Sequence, residues 1–157
     1  MRLWDYRLII FLPDLQLKAL WREINSILKK QDKHILINYV YEYEKHDLLI
    51  YTLKVIFEMK NRGFKIKSLK NCYDYFGEKM VNDWLDDGHP GLVGRIAVFE
   101  HHHTDDYLLT CFFNLREKYI RGQKGFDSET YFTLKRVVCN YIDPSKVLDE
   151  ILYPTVA

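Results

Sequence analysis

Long apolar runs are missing from this chain. No stretch reaches the ~18–20 consecutive apolar residues that a membrane-spanning helix requires. The apolar run Leu8–Leu12, interrupted upstream by Asp5 and Arg7, is too short for a signal peptide. The expectation is a cytoplasmic protein with no membrane partner. Cysteine is scarce: Cys72, Cys111 and Cys139 are odd in number, far apart and form no CxxC. That pattern suits buried thiols in a reducing compartment better than a disulfide framework. A charge excess is also lacking, since 23 basic and 22 acidic residues leave a net charge of +1. A nucleic-acid surface on such a chain requires its positive charge to be gathered on one face. No Walker-type glycine loop, GxSxG elbow, HExxH pair or kinase signature occurs, and there is no internal repeat or low-complexity tract.

What remains is rich in large side chains. Apolar residues make up 48% of the 157 positions and aromatics 15%, with twelve tyrosines. A chain of this length buries a sizeable core as one domain, residues 1–157. The turn cluster Asp86-Asp87-Gly88-His89-Pro90-Gly91 is a possible sub-boundary within it. From Pro13 to Gln31, Leu17, Leu20, Trp21, Ile24, Ile27 and Leu28 recur at the spacing of one buried helical stripe. Asp14 at its start and Lys29 and Lys30 at its end complement the helix dipole. Gln31-Asp32-Lys33 reads as a connection, and the aromatic, β-branched segment His34–Tyr43 is compatible with a strand. A second helix is expected from Asp47, with Leu48, Tyr51, Thr52, Val55 and Met59 on its inner face, Leu53 to the side, and a stop at Gly63. Residues 64–72 read as a lysine-bearing loop and 73–85 as a short amphipathic segment. Further helices are expected from Thr104 to Arg121, from Asp127 to Tyr141 and briefly after Pro144. The fold class is mainly α.

Several groups of residues could carry chemistry. The free α-amine of Met1 titrates at about 8, against about 10.4 for a lysine, so part of it is neutral and nucleophilic at physiological pH. Such an amine can attack an anomeric carbon and form an imine, with a nearby carboxylate stabilising positive charge and moving protons. Arg2 disfavours removal of Met1. Arg22 and Glu23 are adjacent on the first helix and point about a third of a turn apart. The pair reads either as two solvated helix residues or as a phosphate contact beside a reacting carboxylate. Lys65, Lys67 and Lys70, preceded by Lys60 and Arg62, form the densest basic cluster and are candidates for DNA backbone contacts. His101-His102-His103 invites a metal hypothesis, but consecutive residues fan out and no ExxH or HxxxH spacing supports it, so a polar lead-in to the next helix is the better reading. His34 and His46 read as structural, and Trp4, Trp21, Tyr39 and Tyr41 as core residues rather than stacking platforms.

The order of certain strings resembles the pyrimidine-dimer DNA glycosylase (endonuclease V) family, above all its bacterial branch. The strings are Met1-Arg2-Leu3-Trp4, Leu12-Pro13, Gln16-Leu17, Trp21-Arg22-Glu23, Lys33-His34, Asn38-Tyr39-Val40-Tyr41 and Arg62-Gly63-Phe64-Lys65-Ile66. Asp106-Tyr107-Leu108, Asn114-Leu115-Arg116 and Lys118 resemble a later helix of that branch more loosely. The resemblance implies a compact, single-domain, mostly helical fold that needs no metal or organic cofactor. It implies a glycosylase and abasic-site lyase acting on damaged double-stranded DNA, with no obligatory protein partner. By the same resemblance Met1 is the nucleophile and Glu23 the essential carboxylate, while Arg2 and Arg22 grip the DNA. Two features depart from the phage enzyme. Asn25-Ser26 stands where it has a further arginine, and Ile151-Leu152-Tyr153-Pro154 does not match its C-terminal aromatic segment. The alternative reading is a catalytically silent binding module with the same fold.

Overall fold

The computed structural model describes residues 3–30, 34–87 and 90–147. Among the described residues there is no strand. The α-helices are α1 (Asp14–Lys30), α2 (Lys45–Asn61), α3 (Lys70–Phe76), α4 (Glu78–Asp86), α5 (Pro90–Arg95), α6 (Asp105–Ile120) and α7 (Ser128–Cys139), joined by 3-10 turns at Tyr6–Phe11, Asn38–Glu42 and Pro144–Val147. None of these helices is long and apolar enough to cross a membrane.

The core is built around α2. Every residue from Leu48 to Ile56 is buried, Leu53 completely so. The sequence pattern pointed to a one-faced helix with Leu53 off to the side. Instead α1, α4, α5 and the 3-10 turns at Tyr6–Phe11 and Asn38–Glu42 all pack on it. A helix apolar around its whole circumference belongs inside the fold. Two polar side chains lie within this buried stretch: Thr52 Oγ1 donates to the Leu48 carbonyl at 2.7 Å, and Lys54 Nζ makes one hydrogen bond, to the Val93 carbonyl at 2.5 Å. Burial of each large apolar side chain contributes about 1.5–3 kcal/mol, and the buried set forms one cluster running from Leu3 to Val147.

Helix ends follow local chemistry. Gly63 adopts φ 77°, its N–H donates to the Lys60 carbonyl and the Phe64 N–H to the Met59 carbonyl, a Schellman closure of α2. The same pair of bonds closes α6 at Gly122, from its own N–H to Tyr119 and from Gln123 to Lys118. Thr104 and Asp127 cap α6 and α7 by accepting from the N–H groups of Tyr107 and Thr130.

Two expectations are revised. His34–Tyr43 is a turn followed by a 3-10 segment, not a strand: Ile37 and Val40 donate to the carbonyls of His34 and Ile37, and Ile37, Tyr39 and Val40 bury against the core. Tertiary packing overrides strand propensity here. The segment 73–85 is two helices broken at Gly77, whose φ of 95° ends α3 and starts α4. The turn cluster opens directly into α5, whose Val93 is buried; Gly88 and His89 lie outside the described residues. The connection Gln31-Asp32-Lys33 also lies outside them.

Candidate nucleic-acid interface

α1 presents Lys18, Trp21, Arg22 and Asn25 at positions i, i+3, i+4 and i+7, a single ridge along the helix. The Schellman turn at Gly63 sends the chain back beside this ridge, so that Phe64, Lys65, Lys67 and Ser68 form the opposing wall. The result is a groove of about 740 Å³. Lys18, Arg22, Lys65 and Lys67 line it and no acidic side chain does. Arg22, Lys65 and Lys67 are exposed, and Trp21 and Phe64 half-buried. Lys18 Nζ lies 4.3 Å from the centroid of the Phe64 ring, a cation–π contact that holds the lysine over the groove. Asn25 fixes the far end: its Nδ2 donates to the Trp21 carbonyl at 2.8 Å and its Oδ1 accepts from Asn71 Nδ2 at 3.0 Å, tying α1 to α3. In a near-neutral chain, four cations thus meet along one groove.

The basic cluster of the sequence is divided by the fold. Lys65 and Lys67 enter the groove, but Arg62 turns inward and acts as a clamp. Its guanidinium donates to the carbonyls of Leu12 and Ile10 and to the carboxylates of Asp14 and Glu58, at 2.7 to 3.1 Å. Lys60 faces a different cavity, and Lys70 pairs with Asp74 one turn along α3. The groove also recruits Lys18, Trp21 and Phe64, which the sequence reading did not place in a site. The i, i+4 spacing of Lys18 and Arg22, the i, i+3 spacing of Lys18 and Trp21, and the glycine stop before Phe64 are the signals that mark them in hindsight.

Glu23 follows Arg22 on α1 but stands about 100° around the helix. It is half-buried, with Oε1 inaccessible to solvent. Met1 and Arg2, the expected nucleophile and its neighbour, lie outside the described residues. The segment that follows them is held firmly. The Leu3 carbonyl accepts from Tyr107 Oη, the Trp4 carbonyl from Tyr51 Oη at 2.6 Å, and the Tyr6 N–H donates to His103 Nδ1 at 3.2 Å. Asp5, fully buried, accepts from the Arg7 N–H and guanidinium at 2.9–3.0 Å. Burial nevertheless pushes its carboxyl above the usual range, outweighing Arg7.

The histidine run serves this anchoring. His103 is buried, bonded by the Tyr6 N–H on Nδ1 and by Tyr39 Oη on Nε2 at 2.7 Å. Burial, then the nearby Arg7 charge, lowers its pKa to about 3, so the ring is neutral. His102 Nδ1 and Tyr43 Oη share a hydrogen bond of 2.7 Å, and the His102 ring stacks on Tyr39 at 4.6 Å. Among the described residues no three His, Cys, Asp or Glu side chains converge on a metal position. His34 and His46 are exposed; His34 Nδ1 accepts from the Leu36 N–H within its turn, and His46 lies edge-on to Trp84. Cys72 and Cys111 are buried free thiols and Cys139 is partly exposed.

With the groove and the anchored N-terminal segment in place, the likeness to known proteins has a location. Residues 1–71 match the pyrimidine dimer DNA glycosylase family. The matched stretch covers α1, α2, both walls of the groove and Glu23, and stops where α3 begins. No curated protein and no solved structure matches the chain. The all-helical architecture agrees with the fold class expected of that family. The different C-terminal segment at 151–154 lies outside the described residues.

Proposed function

We propose that this chain is a DNA repair glycosylase with abasic-site lyase activity, acting on pyrimidine dimers or related lesions in double-stranded DNA. The observation that carries the reading is the groove: four cations and two aromatic rings, with no acid, on the helix that bears Glu23 and inside the family-matched stretch. Arg22, Lys65 and Lys67, with Arg2, would contact backbone phosphates on either side of a lesion. Distortion of the duplex there exposes the deoxyribose of the damaged nucleotide.

The proposed chemistry uses the chain's own groups. The neutral α-amine of Met1 attacks C1′ of the sugar, a C1′–N bond forms, and the glycosidic bond breaks with its electron pair leaving on the base. The sugar ring opens to an imine. Loss of a C2′ proton then expels the 3′ phosphate by β-elimination, and water hydrolyses the imine to release the chain. The Glu23 carboxylate stabilises the cationic imine and carries protons between these steps.

Borohydride trapping tests this directly. Reduction of the imine should cross-link protein bearing its native first residue to abasic DNA, and Glu23→Gln should abolish cleavage. Absence of an adduct rejects the lyase. The burial of Glu23 Oε1 favours one competing reading, a catalytically silent binding module with the same fold. DNA retention with neither adduct nor cleavage would establish that module instead.

A further inference from the structure

A second cavity, of about 980 Å³, lies between the 3-10 turn Tyr6–Phe11, α2, α5 and the end of α7. Its volume is that of a small-molecule site, for which about 300–1,000 Å³ is usual. It uses a different part of α2 from the groove: Lys54, Phe57, Glu58 and Asn61, at helical spacing, instead of Met59.

Its charges do not balance. Arg7, Lys54, Lys60 and Arg95 line it together with a single carboxylate, Glu58. Glu58 is bound by Arg62 at 2.8 Å, and Arg7 is bound by Asp5 and Asp105 at 2.9 and 2.8 Å. Among the described residues no carboxylate pairs with Lys54, Lys60 or Arg95. Lys54 is the unusual member. It is 5% exposed, its ammonium makes one hydrogen bond, to the Val93 carbonyl, and it faces the Tyr6 ring at 5.3 Å. An ammonium has three donors, and a buried cation without a counter-charge is costly. Burial accordingly lowers its pKa to about 8. Lys60 and Arg95 are exposed at the mouth, and Tyr6 and Phe57 supply apolar wall.

We propose that this cavity binds a small organic phosphate, with Lys54 as the buried counter-charge, Lys60 and Arg95 closing on the phosphate from the mouth, and Tyr6 and Phe57 holding the organic body. Three unpaired cations around one cavity match a phosphate dianion, with its three acceptor oxygens, better than a single carboxylate. The inference is independent of the glycosylase reading, because it shares no residue with the groove.

Calorimetric titration with phenyl phosphate, phenol and inorganic phosphate separates the contributions. Phenyl phosphate should bind, with phenol and inorganic phosphate each at least tenfold weaker. Lys54→Met, which keeps the stem and removes the charge, should weaken phenyl phosphate binding at least tenfold. The combined variant Arg22→Gln, Lys65→Gln, Lys67→Gln should leave it unchanged. Equal binding of phenol, unchanged affinity in Lys54→Met, or loss in the groove variant alone would overturn the proposal. An NMR titration of the Lys54 side chain in the unaltered protein provides a second readout that needs no variant. A ligand that binds the charged amine raises its midpoint above the free value, and saturation with phenyl phosphate without such a rise counts against the site.

Discussion

Replacing His103 with Phe should destabilise the protein most at neutral pH and least in acid. The ring occupies the middle of an aromatic cluster, with Tyr107, Phe99, Tyr39 and Tyr51 at centroid distances of 4.8, 5.2, 5.6 and 5.9 Å. Phe preserves most of that packing, so the loss is confined to two hydrogen bonds. The Tyr6 N–H donates to Nδ1, which therefore carries no proton; the neutral ring bears it on Nε2 and donates to Tyr39 Oη. Phe removes both bonds, at about 1–3 kcal/mol each, or about 2–6 kcal/mol in all at pH 7. The melting temperature should fall by about 4–24 °C, at roughly 2–4 °C per kcal/mol for a chain of this size. The pH dependence is the sharper test. His103 titrates at about 3 in the folded protein against about 6.5 unfolded. Below pH 6.5 the unfolded chain takes up a proton that the folded chain refuses, so this stability is complete above pH 6.5 and is lost as pH falls towards 3. Between pH 7 and pH 4 the loss is about 3 kcal/mol. The phenyl ring of the variant cannot titrate, so the gap between the two proteins should narrow by about that amount over this range. Asp5, with a raised folded pKa, has the opposite sign, but it is common to both proteins and cancels to first order. Urea unfolding at pH 7 and pH 4 measures the gap. A gap that stays constant with pH would refute the neutral, doubly bonded histidine.

Gly63→Ala should cost about 1 kcal/mol, measured by urea unfolding, because a Cβ meets no atom within 4 Å and the penalty is the φ of 77° alone; no change in stability would mean that the Schellman turn is not needed. Tyr51→Phe should cost about 1–3 kcal/mol by leaving the buried Trp4 carbonyl without its donor, and a variant melting with the parent would remove Tyr51 from the anchoring of the N-terminal segment. Combining Arg22→Gln, Lys65→Gln and Lys67→Gln should weaken DNA binding in fluorescence anisotropy and flatten the slope of log affinity against log salt by roughly 2–3, at about 0.9 for each phosphate that is no longer neutralised. An unaltered slope would place the DNA elsewhere.

Helix caps, stops and the first helix were readable from the residues, because they depend on neighbours within a few positions. Thr104, Asp127, Gly63 and Gly122 act within one turn of where they stand, and the apolar stripe of α1 is a matter of spacing. So was the family likeness, which rests on the order of short strings such as Trp21-Arg22-Glu23. The strand expected at His34–Tyr43 failed for the opposite reason: β-branched and aromatic residues report a preference for burial, and only a partner strand or a core decides how that burial is met.

Tertiary structure decided which charges work together. Lys60, Arg62, Lys65, Lys67 and Lys70 are one cluster in the chain, yet a single glycine turn and one inward arginine distribute them among a clamp, a groove, a second cavity and a surface ion pair. The run His101-His102-His103 reads in one dimension as a polar lead-in to the next helix, and the fold uses it to hold tyrosines and the backbone of residue 6. Lys54 looks like an ordinary break in an apolar helix until α5 and the Tyr6–Phe11 turn close over it. Sequence alone determined the caps, the glycine stops and the stripe of α1, whose hydrogen bonds and spacing are short-range. Charge pairing and burial are long-range quantities, set by which surfaces meet, and for those residues the fold had the final word.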